Sequence, residues 1–133
     1  MRLVLDTNVL LAGLLTRGVC EALLDACMSS DRCTIVLSEY ILEEFARHAR
    51  GKFGAPDADV LRSLDFLRRR CEIVEPATIP REVCGDRDDL PVLGTAVAGK
   101  ADALVTRDAA LLKLGRIDEV PIVSPRALYD AMR

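Results

Sequence analysis

Short apolar runs alternate along this chain with longer stretches in which apolar residues recur every three to four positions. Leu3-Val4-Leu5, led by Arg2 and ended by Asp6, reads as a strand buried on both faces. Residues 9–15 are apolar almost without interruption and read as more buried strand with its exit loop. Residues 20–28 carry Cys20, Leu23, Leu24 and Cys27 at helical spacing, with Glu21 and Asp25 between them. Residues 34–37 form a second buried run, and Ser38 is placed to cap a helix over residues 39–50. Gly51, Gly54 and Pro56 break the pattern. It resumes as a helix over residues 57–70, on Val60, Leu61, Leu64 and Leu67.

The second half repeats the alternation. Residues 73–74 read as a short strand, followed by a loop with Pro76 and Pro80. Residues 88–99 read as a helix beginning near Asp88, because Pro91 fits only its first turn. A strand follows at 103–105, then a short helix at 108–114 closed by Gly115. The last strand is 121–123, and Ser124-Pro125 opens a terminal helix. Strands alternating with helices in this way predict an α/β fold, a mainly parallel sheet between two helical layers. No repeat or linker interrupts the 133 residues, so a single domain over 1–133 is expected.

Composition narrows the function. Half the residues are apolar and 29% are charged, enough for a core without disulfide or metal staples. Aromatic residues make up only 4%, with no tryptophan, which argues against an aromatic stacking surface for single strands. A net charge of −3 argues against a protein that coats nucleic acid, but leaves room for a local basic patch. Five cysteines without a CxxC pair read as reduced thiols filling core gaps in a cytoplasmic protein. Asp6 and Asn8 ahead of residues 9–15 argue against a secretory signal, and no stretch is long enough to span a membrane. With His48 the only histidine, zinc sites and histidine-dependent triads lack support.

Acidic residues stand where strands end, and in parallel α/β sheets those ends are where ligands bind. Asp6 ends the first strand, and Asp108 follows the strand at 103–105. Asp86, Asp88 and Asp89 crowd the start of the preceding helix, and Glu43 and Glu44 lie in the helix after the second strand. Asp88, Asp89 and Asp108 have a plain alternative role as helix caps or dipole partners. Asp6 does not share it so readily, since a carboxylate between two apolar runs is costly unless it is used. Carboxylates gathered in one cleft repel, and a hard divalent ion such as Mg²⁺ or Mn²⁺ relieves that repulsion. The residues by themselves point to metal-dependent hydrolysis or phosphoryl transfer and do not name the substrate.

Leu5-Asp6-Thr7-Asn8-Val9-Leu10, residues 38–44, Asp86-Arg87-Asp88-Asp89 and Val105-Thr106-Arg107-Asp108 together resemble the PIN-domain ribonucleases. The likeness is to the small prokaryotic branch of toxin components from toxin–antitoxin systems, the VapC-type toxins, and runs in order over nearly the whole chain. It implies a PIN-like three-layer α/β/α sandwich. It also implies an acidic quartet of Asp6, Glu44, Asp89 and Asp108, with Asp6, Asp89 and Asp108 holding Mg²⁺ or Mn²⁺ for attack of water on RNA. Ala96, seven residues past Asp89, fits the family's helix. Asn8 and Thr106 match supporting polar positions, and Asp86 matches an extra acid. Helical periodicity leaves Glu43 and Glu44 equivalent, and only the family register favours Glu44. An antitoxin partner and a homodimer are further implications.

Basic residues form two groups, Arg47, Arg50 and Lys52, and Arg62 with residues 68–70. Each is either a solvated helix face with intrahelical ion pairs or a rim that steers RNA, and Arg47, Arg50 and Lys52 are the candidate RNA contacts. His48 reads as a surface residue. The competing function is a catalytically silent module that binds RNA or a protein partner. A phosphatase of the haloacid-dehalogenase type is disfavoured because Asn8 stands where it needs a second aspartate. A receiver domain is disfavoured by the missing early acid pair and late lysine.

Overall fold

Leu3, Val4 and Leu5 are fully buried, as the central strand of a sheet covered on both faces requires. A computed structural model describes residues 1–133. In chain order the elements are β1 (Arg2–Leu5), α1 (Thr7–Leu15), α2 (Val19–Met28), β2 (Thr34–Leu37), α3 (Glu39–Gly51) and α4 (Asp57–Arg70). They continue with β3 (Glu72–Ile73), α5 (Leu90–Ala98), β4 (Ala103–Val105), α6 (Ala109–Leu114), β5 (Arg116–Ile117), β6 (Val120–Val123) and α7 (Pro125–Met132). The sheet order is β3-β2-β1-β4-β6-β5, parallel throughout except for the β5–β6 pair. This is the expected α/β/α architecture. In register, Leu3 lies between Ile35 and Ala103, and Val4 between Val36 and Leu104.

Residues 9–15 correct the sequence reading: they belong to helix α1, not to a strand. Leucine and alanine favour a helix, and the Asp6 carboxylate caps it by accepting from the Thr7 N–H. The helix packs against α2 and α3, and Val9, Leu10, Leu11, Ala12 and Gly13 are all buried. Burial around most of its circumference leaves no polar face, so the period that marks a helix is absent. The antiparallel β5 is a second departure. It follows Gly115, whose φ of 78° ends α6 in the left-handed conformation, and a turn at Asp118–Glu119, with Asp118 at φ 50°, folds the chain back as β6.

The remaining elements fall where the pattern puts them, within a residue or two. Pro91 sits in the first turn of α5, after a 3₁₀ turn over Arg87–Asp89. The loop after β3 lies directly on α5, with the Ala77 N–H donating to the Gly94 carbonyl at 3.0 Å. A Cβ at Gly94 would stand 2.2 Å from the Ala77 carbonyl oxygen, so this approach requires glycine. One cluster of 33 buried apolar residues joins α1 to β6 across the sheet, and all five cysteines are free within or beside it. No helix is long and apolar enough to cross a membrane.

Candidate active site

The sheet ladder continues past the ends of β1 and β4. The Asp6 N–H donates to the Val105 carbonyl at 2.9 Å, and the Thr106 N–H to the Val123 carbonyl at 3.0 Å. These bonds hold Asp6 and Thr106 side by side at the carboxyl edge, both buried. The Thr106 hydroxyl donates to Asp6 Oδ2 at 2.7 Å and accepts from the Asp108 N–H at 3.0 Å. Asn8 bridges the same two segments. Its Oδ1 accepts from the Arg107 N–H at 3.2 Å, which orients its Nδ2 toward Asp6 Oδ2 at 3.4 Å. Asp108 caps α6, with Oδ2 accepting from the Leu111 N–H at 3.0 Å. A carboxylate so capped keeps its other oxygen free.

Two helices bring the other acids. Asp86 folds the 3₁₀ turn by accepting from the Asp88 N–H at 2.9 Å. Asp89 follows at the start of α5, and its side chain caps nothing. On α3, Ser38 caps the helix by accepting from the Ile41 N–H and lies 2.8 Å from the Thr95 hydroxyl of α5. Thr95 in turn donates to the Pro91 carbonyl at 2.7 Å, so the Ser38 hydroxyl donates to Thr95. This buried pair ties the start of α3 to α5. Further along α3, Glu44 pairs with Arg47 through one oxygen and lies 3.3 Å from His48 Nε2 through the other.

Asp6, Glu44, Asp86, Asp88, Asp89 and Asp108 all line one cleft of about 390 Å³, with Asn8, Tyr40, Arg47, His48 and Lys52. Burial pushes the Asp6 carboxyl above its usual range, and the negative charges of Asp108 and Glu44 add to this. The bonds from Thr106 and Thr7 oppose the rise without cancelling it. Asp89 is pushed up to about 6, first by burial and then by Asp108, Asp6, Asp86 and Asp88. Tyr40 is raised to about 12 by burial and by Glu44, Asp88 and Asp86. The donor set is therefore all oxygen and under mutual repulsion, which suits a hard divalent cation. As the side chains stand, no three His, Cys, Asp or Glu residues are gathered closely enough to hold a metal ion.

The cleft brings together Asp6, Glu44, Asp89 and Asp108, with Asn8 and Asp86 in its lining and Thr106 behind Asp6. It takes in Glu44 and leaves Glu43 exposed, a choice periodicity could not make. The basic group divides. Arg47 and Lys52 line the cleft, whereas Arg50 lies outside it with Nε 2.8 Å from Asp57 Oδ1 on α4. His48, read as a surface residue, is partly exposed where it lines the cleft. Tyr40 was not singled out by the sequence, although its spacing of four from Glu44 and of eight from His48 puts the three on one helix face. Thr95 gave no signal, being one hydroxyl inside an apolar helix. The second basic group is paired, Arg62 with Asp59, Arg68 with Glu39 and Arg69 with Asp65, while Arg70 donates to the Met28 carbonyl.

Residues 2–110 match the family model of the PIN domain. No curated protein matches the chain in sequence. Among solved structures, VapBC2 from Rickettsia felis, bound to a DNA fragment from its promoter, is similar with a TM-score of 0.63 at 19% identity. That likeness covers 93% of this chain and 98% of the other. VapBC-1 from nontypeable Haemophilus influenzae is similar with a TM-score of 0.64 at 17% identity, over 95% of this chain and 99% of the other.

Proposed function

Since this chain belongs to the PIN-domain family, we propose that it is a divalent-metal-dependent ribonuclease and the toxin half of a toxin–antitoxin pair. The observation that carries the nuclease reading is the convergence of Asp6, Asp89 and Asp108 from separate elements on one cleft, at the cost of mutual repulsion. Asp6, Asp89 and Asp108 would hold Mg²⁺ or Mn²⁺, which when bound neutralises charge and activates water against an RNA phosphodiester. Thr106 fixes Asp6 through a proton donated to Oδ2, and Asn8 braces the segment that carries Asp108. Glu44 closes the cleft from the α3 side and holds Arg47 and His48 at its rim. Likeness to two VapBC structures supports the toxin assignment and an antitoxin partner, and a homodimer is a further part of this reading.

The test is cleavage of a mixed panel of labelled RNAs by purified protein with Mn²⁺, with Mg²⁺ and with EDTA. Cutting is expected with either ion, and none with EDTA. Asp6→Asn is expected to lower the rate at least about a hundredfold, the scale on which loss of one electrostatic group in an active site acts. Equal rates for the variant and its parent would sink the assignment. Because no three of these side chains are gathered closely enough as they stand to hold an ion, the competing reading is a silent module that binds RNA or a protein partner. Unchanged RNA affinity in Asp6→Asn, with no cutting by either protein, would select it.

A further inference from the structure

Cys27 and Cys33 follow no cysteine motif in the sequence, yet the fold brings them together. Cys27 lies in the last turn of α2, and Cys33 directly precedes β2. Between them the chain makes two consecutive turns. The Ser30 N–H donates to the Cys27 carbonyl at 3.3 Å, and the Cys33 N–H to the Ser30 carbonyl at 3.4 Å. The Ser30 hydroxyl tightens the second turn by accepting from the Arg32 N–H at 3.1 Å. Two groups from elsewhere in the chain hold this connection in place. Arg70 at the end of α4 donates to the Met28 carbonyl at 2.6 Å, and the N-terminal ammonium donates to the Arg32 carbonyl. Cys27 is buried, and Cys33 packs against the same core with part of its surface open to solvent. Their thiols interact directly, whereas Cys20, Cys71 and Cys84 have no thiol neighbour.

Packing accounts for a small apolar side chain at Cys27, but it does not call for a second thiol at the solvent end of the pair. We propose that Cys27 and Cys33 form a reversible redox staple, closed by exchange with a low-molecular-weight disulfide such as oxidised glutathione. The Cys33 thiol, which solvent reaches, loses its proton and attacks one sulfur of the oxidant, forming a mixed disulfide and releasing one small thiol. The Cys27 thiol then loses its proton and attacks Cys33 Sγ, which closes the Cys27–Cys33 bond and expels the second small thiol. The two small thiols carry away the two protons, so the protein loses two electrons and the oxidant gains them. Burial, and after it the Cys33 sulfur, push the Cys27 thiol up to about 12, which makes it the second to react. The pair stands at the amino end of the sheet, where the Thr34 N–H donates to the Met1 carbonyl at 2.8 Å. The carboxylate cleft lies at the opposite end, and the staple is independent of the nuclease reading.

The experiment incubates the reduced protein with oxidised glutathione in mildly alkaline buffer. Thiols still free are then alkylated in denaturant and counted by intact and peptide mass analysis. Two of the five thiols are expected to escape alkylation, with the Cys27 and Cys33 peptides linked and no glutathione retained. Dithiothreitol is expected to restore both. In Cys27→Ala the reaction is expected to stop at the mixed disulfide, leaving glutathione on Cys33. In Cys33→Ala, Cys27 is expected to stay reduced, and this change at a partly exposed position keeps the test decisive if Cys27→Ala fails to fold. The oxidised protein is expected to melt at a higher temperature than the reduced one, because the cross-link restricts the unfolded chain. The proposal is overturned if both thiols remain free, if the parent protein keeps glutathione on Cys33, or if another pair is linked. The same loss of two thiols in Cys33→Ala also overturns it. A lower melting temperature on oxidation overturns the staple, since the bond would then strain the native turns.

Discussion

Asp89 bears the clearest electrostatic load in the cleft. Its carboxyl is raised to about 6, so between about pH 4 and 6 the folded chain retains a proton that the unfolded chain has released. Stability therefore falls as pH rises through that window, and above it the ionised group is a constant cost. Asp89 is half-buried, so solvent screening reduces the full shift to about 1 kcal/mol. Asp89→Asn is expected to raise the melting temperature near pH 7 in EDTA, with the gain vanishing below about pH 4. Added Mn²⁺ is expected to stabilise the parent more than the variant, because binding to the native state adds directly to stability. A thermal melt series over pH, with and without the ion, reads both effects. A variant less stable than its parent at neutral pH would contradict the repulsion.

At the scale of elements, the site depends on how α3 and α5 are fixed to each other. The fully buried Ser38 and Thr95 hydroxyls make that connection. Thr95→Val keeps the shape but removes the partner of Ser38, and is expected to cost about 1–3 kcal/mol. Thr95→Ser keeps the bond and loses one methyl, for about 0.5–1.5 kcal/mol. Urea titration compares them, and a valine variant as stable as the serine variant would deny the tie its role. Elements with one exposed face were legible in the sequence. α3 shows Ile41, Leu42, Phe45 and Ala49 on one side, and all four are buried. α1 was not legible, because packing on several sides removed the polar residues that mark a period. β5 was too short at two residues to carry a pattern, and its pairing is made by a two-residue turn at Asp118–Glu119 that carries no glycine or proline signal. The acids were found because strand ends can be read. Tyr40 and Thr95 were missed because their places in the cleft and at the contact of α3 with α5 arise only where separate elements meet.

For the molecule as a whole, strand order sets a gradient of protection. β1 is central and paired on both edges, while β3 and β5 are two-residue strands at the margins. Amides of Leu3, Val4 and Leu5 are expected to exchange only through global unfolding, and those of β3 and β5 through local opening. Hydrogen exchange over a range of urea concentrations tests this, and equal protection in β5 and β1 would refute it. The same order has a consequence for synthesis. The Thr106–Asp6 bond that fixes the first carboxylate spans 100 residues, and the other strand beside β1, β2, cannot supply it. At about 5–20 residues per second, a ribosome takes about 5–20 s to bridge that separation. Throughout that interval the nascent chain carries Asp6, but not the Thr106 and Asp108 it is grouped with in the folded protein. If the chain is the nuclease proposed here, it is harmless to the messenger it is being read from until synthesis has passed Asp108.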